Sequence, residues 1–244
     1  MSKADEFASV VRRVSAERFG SGLSLPEDCR GADTIAGLLS HRSHRAYSDE
    51  PVDDDLLRLL LACALSSPSK SDLQQADIIR VRDPGKRRAF AGLIPDMPWI
   101  GEAPVFLVFC GNGRRIRQLS AMRGREFAND HLDAFFNAAV DAAIVMGTFI
   151  NAAEAAGLGC CPISAVRNHC EAVDRLLELP DLVFPVAGMC VGYPKAAGRL
   201  NPRLPLDVTA HVDAFAELEL GRRIKYESVS VAAIKRMITA SVRP

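Results

Sequence analysis

The chain has 244 residues, enough for one well-packed α/β domain and short for two, with 48% apolar and 25% charged side chains, as in ordinary globular proteins. Thirty basic and thirty acidic side chains cancel, which argues against a generally basic surface for nucleic acid. Charges scattered through the first twenty residues leave no apolar segment for a secretory leader, and the most apolar stretch, Ala142–Ile150, is too short to span a bilayer, so a cytoplasmic protein with no membrane partner is expected.

Phe7, Val10, Val11, Val14 and Phe19 recur at helical spacing over residues 4–19, and a loop rich in Gly, Ser, Pro and Asp follows. Residues 1–34 read as a helical arm. A helix at Asp33–Leu39 leads into the basic cluster His41-Arg42-Ser43-His44-Arg45. Pro51 and Asp53–Asp55 open the next helix, since proline fits a first turn and carboxylates suit the positive helix end. Its expected buried stripe is Leu56, Leu59, Leu60, Cys63 and Ala64. A polar loop, Ser69–Gln75, precedes the strand Ile78–Val81 and the short helix Asp83–Leu93. Pro95–Trp99 is a stiff connection, and Val105–Cys110 is a continuous apolar run, as in a strand buried on both faces.

Asp133–Ala156 is the longest helical pattern, roughly 24 residues or about 36 Å. It is apolar nearly all round, which points to a central helix or one packed against a second subunit. A glycine-rich turn holding Cys160-Cys161 follows, then a helix at Ala165–Leu177, a strand at Pro185–Val191 and a largely helical tail from Asp207. The expected class is α+β, a central mixed sheet flanked by helices. Gly111-Asn-Gly113 lacks both a third glycine and a credible following helix, so no dinucleotide fingerprint is assigned. The seven cysteines are an odd number. Cys63, Cys110 and Cys190 lie in apolar runs and read as buried thiols, and the adjacent pair is not a C-x-x-C metal site.

Arg42 and Arg45 share a helical face, and two guanidiniums with the Ser43 hydroxyl suit a phosphate. The alternative is a solvated basic turn. Arg203 is a second such candidate, or a solvated charge between prolines. Ser69-Lys70-Ser71 reads equally as a plain polar loop, Trp99 as a packing anchor or a pocket wall, and Asp141 as a polar contact within helix packing.

Taken in order, HRSHRAYSDEPV (41–52), PSKSDLQ (68–74), APVFLVFC (103–110), EAAGLG (154–159), PISAVRN (162–168), LELPDLVFPVAGMCVGYP (177–194) and NPRLPL (201–206) resemble the FMN-dependent nitroreductase/flavin reductase family, in particular its oxygen-insensitive NADPH-using branch. The resemblance implies a nitroreductase-like domain over 35–206, with the long helix at a homodimer interface and a tail, 207–244, packed on the partner subunit. It also implies FMN as cofactor, with NADPH or NADH as reductant. Residue by residue it implies that His41, Arg42, Ser43 and Arg45 form the first FMN-binding block and that Arg203 joins Arg45 at the phosphate. Ser69, Lys70 and Ser71 would touch the flavin from the partner subunit, and Pro162, Ile163, Ser164 and Ala165 would lie along the ring. Departures stand out. Pro-Ile-Ser-Ala replaces an aromatic-Ile-Gly-Gly segment, and Pro162 has no N–H to donate. Asn201 stands where a lysine is common, and Met97 lies near the place of a glutamine. The implied activity is a ping-pong oxidoreductase acting on small acceptors (nitroaromatics, quinones or flavins). The alternatives are another flavin reaction on the same fold (reductive dehalogenation, ene reduction or flavin breakdown) or a flavin-storage protein.

Overall fold

The computed structural model describes residues 2–216, which fall into two units: the larger comprises residues 42–198, and the smaller draws on 2–41 and 199–216. The expected tail, beyond residue 216, lies outside the described residues.

The larger unit is built on a four-stranded sheet of β1 (Ala76–Arg80), β2 (Val105–Asn112), β3 (Gly159–Ile163) and β4 (Val183–Gly192), in the order β1-β2-β4-β3. All three ladders are antiparallel, with an irregularity in β2 between Phe109 and Cys110. The expectation of a mixed sheet therefore needs correction. Its parallel component is a single isolated bridge, Ser43 to Cys160, because β2 and β3, which run in the same sense, are separated by β4, antiparallel to both.

β2 is buried along its whole length, and strand alternation sends its side chains to two cores. Leu107 and Phe109 enter one core with Met189, Val191, Ala142, Val145 and Phe149. Phe106, Val108 and Cys110 enter the other with Phe90, Ile100, Ile163, Val166 and Val173. This is why the run reads as continuously apolar.

The first core is closed by α3 (Asp54–Leu65) and α7 (Leu132–Ala155). Asp53 caps α3, its carboxylate accepting from the N–H groups of Asp55 and Leu56 at 3.0 and 2.9 Å. The buried stripe of α3 is Leu57, Leu60 and Ala64. Leu59 and Cys63 are exposed, contrary to expectation. The apolar run from Leu56 to Leu61 allowed several phases, and packing selects one. In length and composition α7 could cross a membrane, but Ala138, Ala142, Val145, Phe149 and Ala153 bury one of its faces in the core. The second core is closed by α4 (Pro84–Leu93), the short α5 (Trp99–Glu102) and α8 (Cys170–Leu177). Residues 164–169 form a 3-10 turn before α8, so the expected helix at Ala165–Leu177 is regular only in its second half.

Two elements depart further from expectation. α6 (Arg114–Met122) does follow Gly111-Asn-Gly113. The Asn112 side chain starts it, accepting from the N–H groups of Arg114 and Arg115 at 3.0 Å each. Cys160-Cys161 lies in β3 and not in a turn, paired with Val191 and Cys190.

In the smaller unit α1 (Lys3–Phe19) packs on α2 (Ala32–Leu39). A Ser2–Asp5 capping box starts α1, and Gly20, at φ 79°, ends it in the left-handed conformation that glycine adopts at low cost. Its buried positions are Val11, Val14, Ser15 and Arg18, one face at helical spacing. A four-residue helix, α9 (Leu206–Thr209), follows the late basic block.

Candidate functional site

β3 is an edge strand, and the basic cluster runs along its free side. The N–H of His44 donates to the carbonyl of Cys160 at 2.9 Å. The Tyr47 hydroxyl lies 2.6 Å from the His44 carbonyl and 3.2 Å from that of Cys190. Burial pushes the phenol up, so it remains a donor. The His44 ring sits against two glycines. A Cβ at Gly159 would stand 2.7 Å from its Cγ, and one at Gly198, where φ is 71°, would stand 2.9 Å from its Cε1. The segment carrying Arg42, Ser43 and Arg45 is not helical, so the expected shared helical face does not form; it runs beside β3 and is fixed by packing and main-chain bonds. Arg45 is exposed at its edge, with its guanidinium carbon 5.7 Å from the Trp99 ring centroid. Trp99 is thus a platform for this arginine as well as part of the second core.

This packing makes a prediction. Gly159→Ala drives a methyl into the His44 ring and is expected to lower stability by about 1–3 kcal/mol, the usual overpacking cost. The urea midpoint should fall, whereas Gly92→Ala on α4, with open space around it, should be neutral or slightly stabilising. Equal midpoints for the two variants would contradict the packing.

Beneath this segment, Cys160 and Cys161 are buried, and burial pushes both thiols up from their ordinary value; burial likewise pushes Cys110 up, to about 12. None is a thiolate near neutral pH, so these cysteines are packing groups and not nucleophiles. β3 ends at Ile163. Pro162 is half-buried, Ile163 buried, Ser164 exposed and Ala165 half-buried, so the main chain leaves the sheet edge behind small side chains.

Ser69, Lys70 and Ser71 stand elsewhere on the larger unit, against α7. Asp141, 1% exposed, accepts from the N–H of Lys70 at 2.9 Å and from that of Gln75 at 3.0 Å. One buried carboxylate thus closes both ends of the loop. Between them Ser71, Asp72 and Gln74 have φ of 52°, 54° and 51°, a left-handed run that non-glycine residues adopt only when held. The Ser69 hydroxyl accepts from the N–H of Gln74 at 3.2 Å. Asp77 pairs with Arg115 at 2.5 Å, and Arg115 also donates to the Gln74 carbonyl. Ser69, Gln74, Asp77, Arg115 and Asp141 line a cleft of about 490 Å³.

In the smaller unit, Arg203 is exposed, its guanidinium 3.4 Å from the Asn201 carbonyl and 3.2 Å from that of Pro202. Its N–H donates to the Arg18 carbonyl at 2.6 Å. The Arg18 guanidinium donates to the carbonyls of Leu39 (2.5 Å), Asn201 (3.0 Å) and His41. The structure therefore brings Ser43 and His44 to β3 in one unit, and the His41 and Asn201–Arg203 segments together in the other. Sequence reasoning assigned no role to Arg18 and left Asp141 as a helix-packing contact. The available signal was a charged residue on the apolar stripe of α1, and an aspartate inside an otherwise apolar helix. Among the described residues, no group of three or more His, Cys, Asp or Glu is placed to hold a metal.

An antiparallel α+β unit with a long helix against its sheet is an architecture shared with solved structures. NfrA2 of B. megaterium superposes with a TM-score of 0.77 at 32% identity, over 86% of this chain and 85% of that one. The nitroreductase family profile matches residues 38–97 and 95–193, and the chain belongs to the nitroreductase family. It is 37% identical to an FMN reductase [NAD(P)H] of Bacillus subtilis over 187 residues, 75% of this chain and 74% of the relative. It is 34% identical to an oxygen-insensitive NADPH nitroreductase of Salmonella typhimurium over 194 residues, 80% and 79% of the two chains.

Proposed function

We propose that the protein is an FMN-dependent NAD(P)H oxidoreductase that passes electrons by a ping-pong cycle to a small acceptor such as a flavin, nitroaromatic or quinone. The observation that carries this reading is the segment 42–45, held along the edge strand. It offers two guanidiniums and a hydroxyl alongside β3, whose C-terminal end leads into the small residues Ser164 and Ala165. The relatives' names point the same way.

The residues fit FMN. Arg42, Arg45 and the Ser43 hydroxyl in the larger unit, and His41 and Arg203 in the smaller, are each donors of the kind a phosphate requires. Pro162, Ile163, Ser164 and Ala165 are assigned to the ring, with main-chain N–H groups beyond Pro162 as donors to its edge. Ser69, Lys70 and Ser71 are assigned to a flavin held by the partner subunit. Bound FMN supplies the hydride chemistry, and the protein supplies position and charge. The guanidiniums stabilise negative charge on the cofactor. The small side chains at 164 and 165 leave a face open to the nicotinamide. No side chain acts as nucleophile, in keeping with the protonated, buried thiols of Cys160 and Cys161. Steady-state rates with NADPH or NADH and varied FMN should give parallel double-reciprocal lines. Intersecting lines would exclude the ping-pong cycle.

The same reading makes the protein a cytoplasmic homodimer paired through α7. On the face away from the sheet α7 exposes Leu132 (78%), Phe136 (62%), Val140 (38%) and Ile144 (38%), an apolar stripe that a second copy covers. Phe136→Glu should convert a dimer to a monomer in sedimentation at micromolar concentration, with loss of bound flavin. A wild-type monomer under those conditions would remove the dimer from the account.

A further inference from the structure

Arg18 is a buried cation, 5% exposed, in the last turn of α1. Its planar fork of donors reaches two segments far apart in sequence: Leu39 and His41, where α2 ends, and Asn201. The carbonyl of Leu39 belongs to a helix C-terminus, where acceptors lack intrahelical partners. The main chain closes the arrangement, since Arg203 donates its N–H to the carbonyl of Arg18 itself. The Asn201 carbonyl accepts from Arg18 at 3.0 Å and lies 3.4 Å from the Arg203 guanidinium, so two cations converge on one oxygen. Convergent positive charge of this kind favours an anion beside it. Arg18 also brings a cation to the main chain of Asn201, the position where the family pattern commonly has a lysine.

We propose that Arg18 is a positioning residue for the cofactor phosphate: by gripping the carbonyls of Leu39, His41 and Asn201 it sets the main chain from which His41 and Arg203 address that phosphate. The inference rests on the reading of His41 and Arg203 as FMN ligands. A lysine cannot replace this arginine, because one ammonium lacks the rigid fork that spans the three acceptors.

The test compares dissociation constants for FMN and for riboflavin, which lacks the phosphate, in the wild type and in Arg18→Lys and Arg18→Met. The wild type should prefer FMN; no preference would overturn the phosphate reading itself. Arg18→Met should weaken FMN about tenfold, the scale of one charge-assisted contact, and leave riboflavin within about twofold. Arg18→Lys should fall between. Unchanged FMN affinity, or an equal loss for both flavins, would overturn the role of Arg18 while leaving the phosphate reading intact. If neither variant folds, hydrogen exchange of the wild type decides. FMN, and not riboflavin, should protect residues 39–41 and 201–203 together, and protection of only one segment, or by riboflavin equally, would overturn the proposal.

Discussion

Asp141→Ala should be among the most damaging single substitutions in the chain. The carboxylate is the acceptor for two main-chain N–H groups, at Lys70 and Gln75, and it is shielded from water. Alanine leaves both donors without that acceptor, at about 1–3 kcal/mol each, so about 2–6 kcal/mol of stability is expected to be lost. The cost does not stop at hydrogen bonds. Ser71, Asp72 and Gln74 are held in the left-handed region, and once the ends of the loop are released they relax to ordinary conformations. Asp141→Asn keeps one acceptor oxygen and should lose less. Urea unfolding with the slope held in view reads the difference, and limited proteolysis should report new cleavage between residues 69 and 75. Wild-type stability in Asp141→Ala would show that the loop does not depend on this carboxylate.

The second large effect concerns the arginines. Arg45→Ala and Arg203→Ala are each expected to weaken FMN binding by about 1–3 kcal/mol, the scale of a lost charge-assisted contact. The loss should be specific to FMN, with riboflavin affinity nearly unchanged, because only the phosphate is addressed. Arg45 offers a second readout. Its guanidinium lies over Trp99, the single tryptophan of the chain. Arg45→Ala should therefore shift the tryptophan emission of the apoprotein, and Arg203→Ala should not. Arg45→Lys should not restore full affinity, since an ammonium lacks the bidentate fork. If both alanine variants retain FMN as the wild type does, the phosphate is bound elsewhere.

The parts of the fold that could be read in advance were those with strong periodicity. α7 and β2 declared themselves through long apolar patterns, and α3 through its acidic, proline-led start. The phase of α3 was misread because leucines occupy adjacent positions, and only contact with α7 and the sheet selects Leu57 over Leu59. α6 was hidden because it has no buried face to leave an apolar stripe in the sequence, although the Asn112 side chain caps its start. β3 was hidden because the glycines before Cys160-Cys161 read as a turn; its identity comes from pairing with β4. The 42–45 cluster was legible from charge density and from the order of the family blocks. Arg18 and Asp141 were not, because their partners are main-chain groups 21 and 183, and 71 and 66, residues away. No local pattern encodes a bond of that kind.

The measurement that bears most directly on the account is the visible absorption spectrum of the purified protein, supplemented with FMN, before and after anaerobic addition of NADPH and, separately, of NADH. The account predicts a bound flavin spectrum that bleaches promptly with at least one of the two nucleotides. Failure to retain flavin after incubation with FMN, or a bound flavin that neither nucleotide reduces, would contradict it.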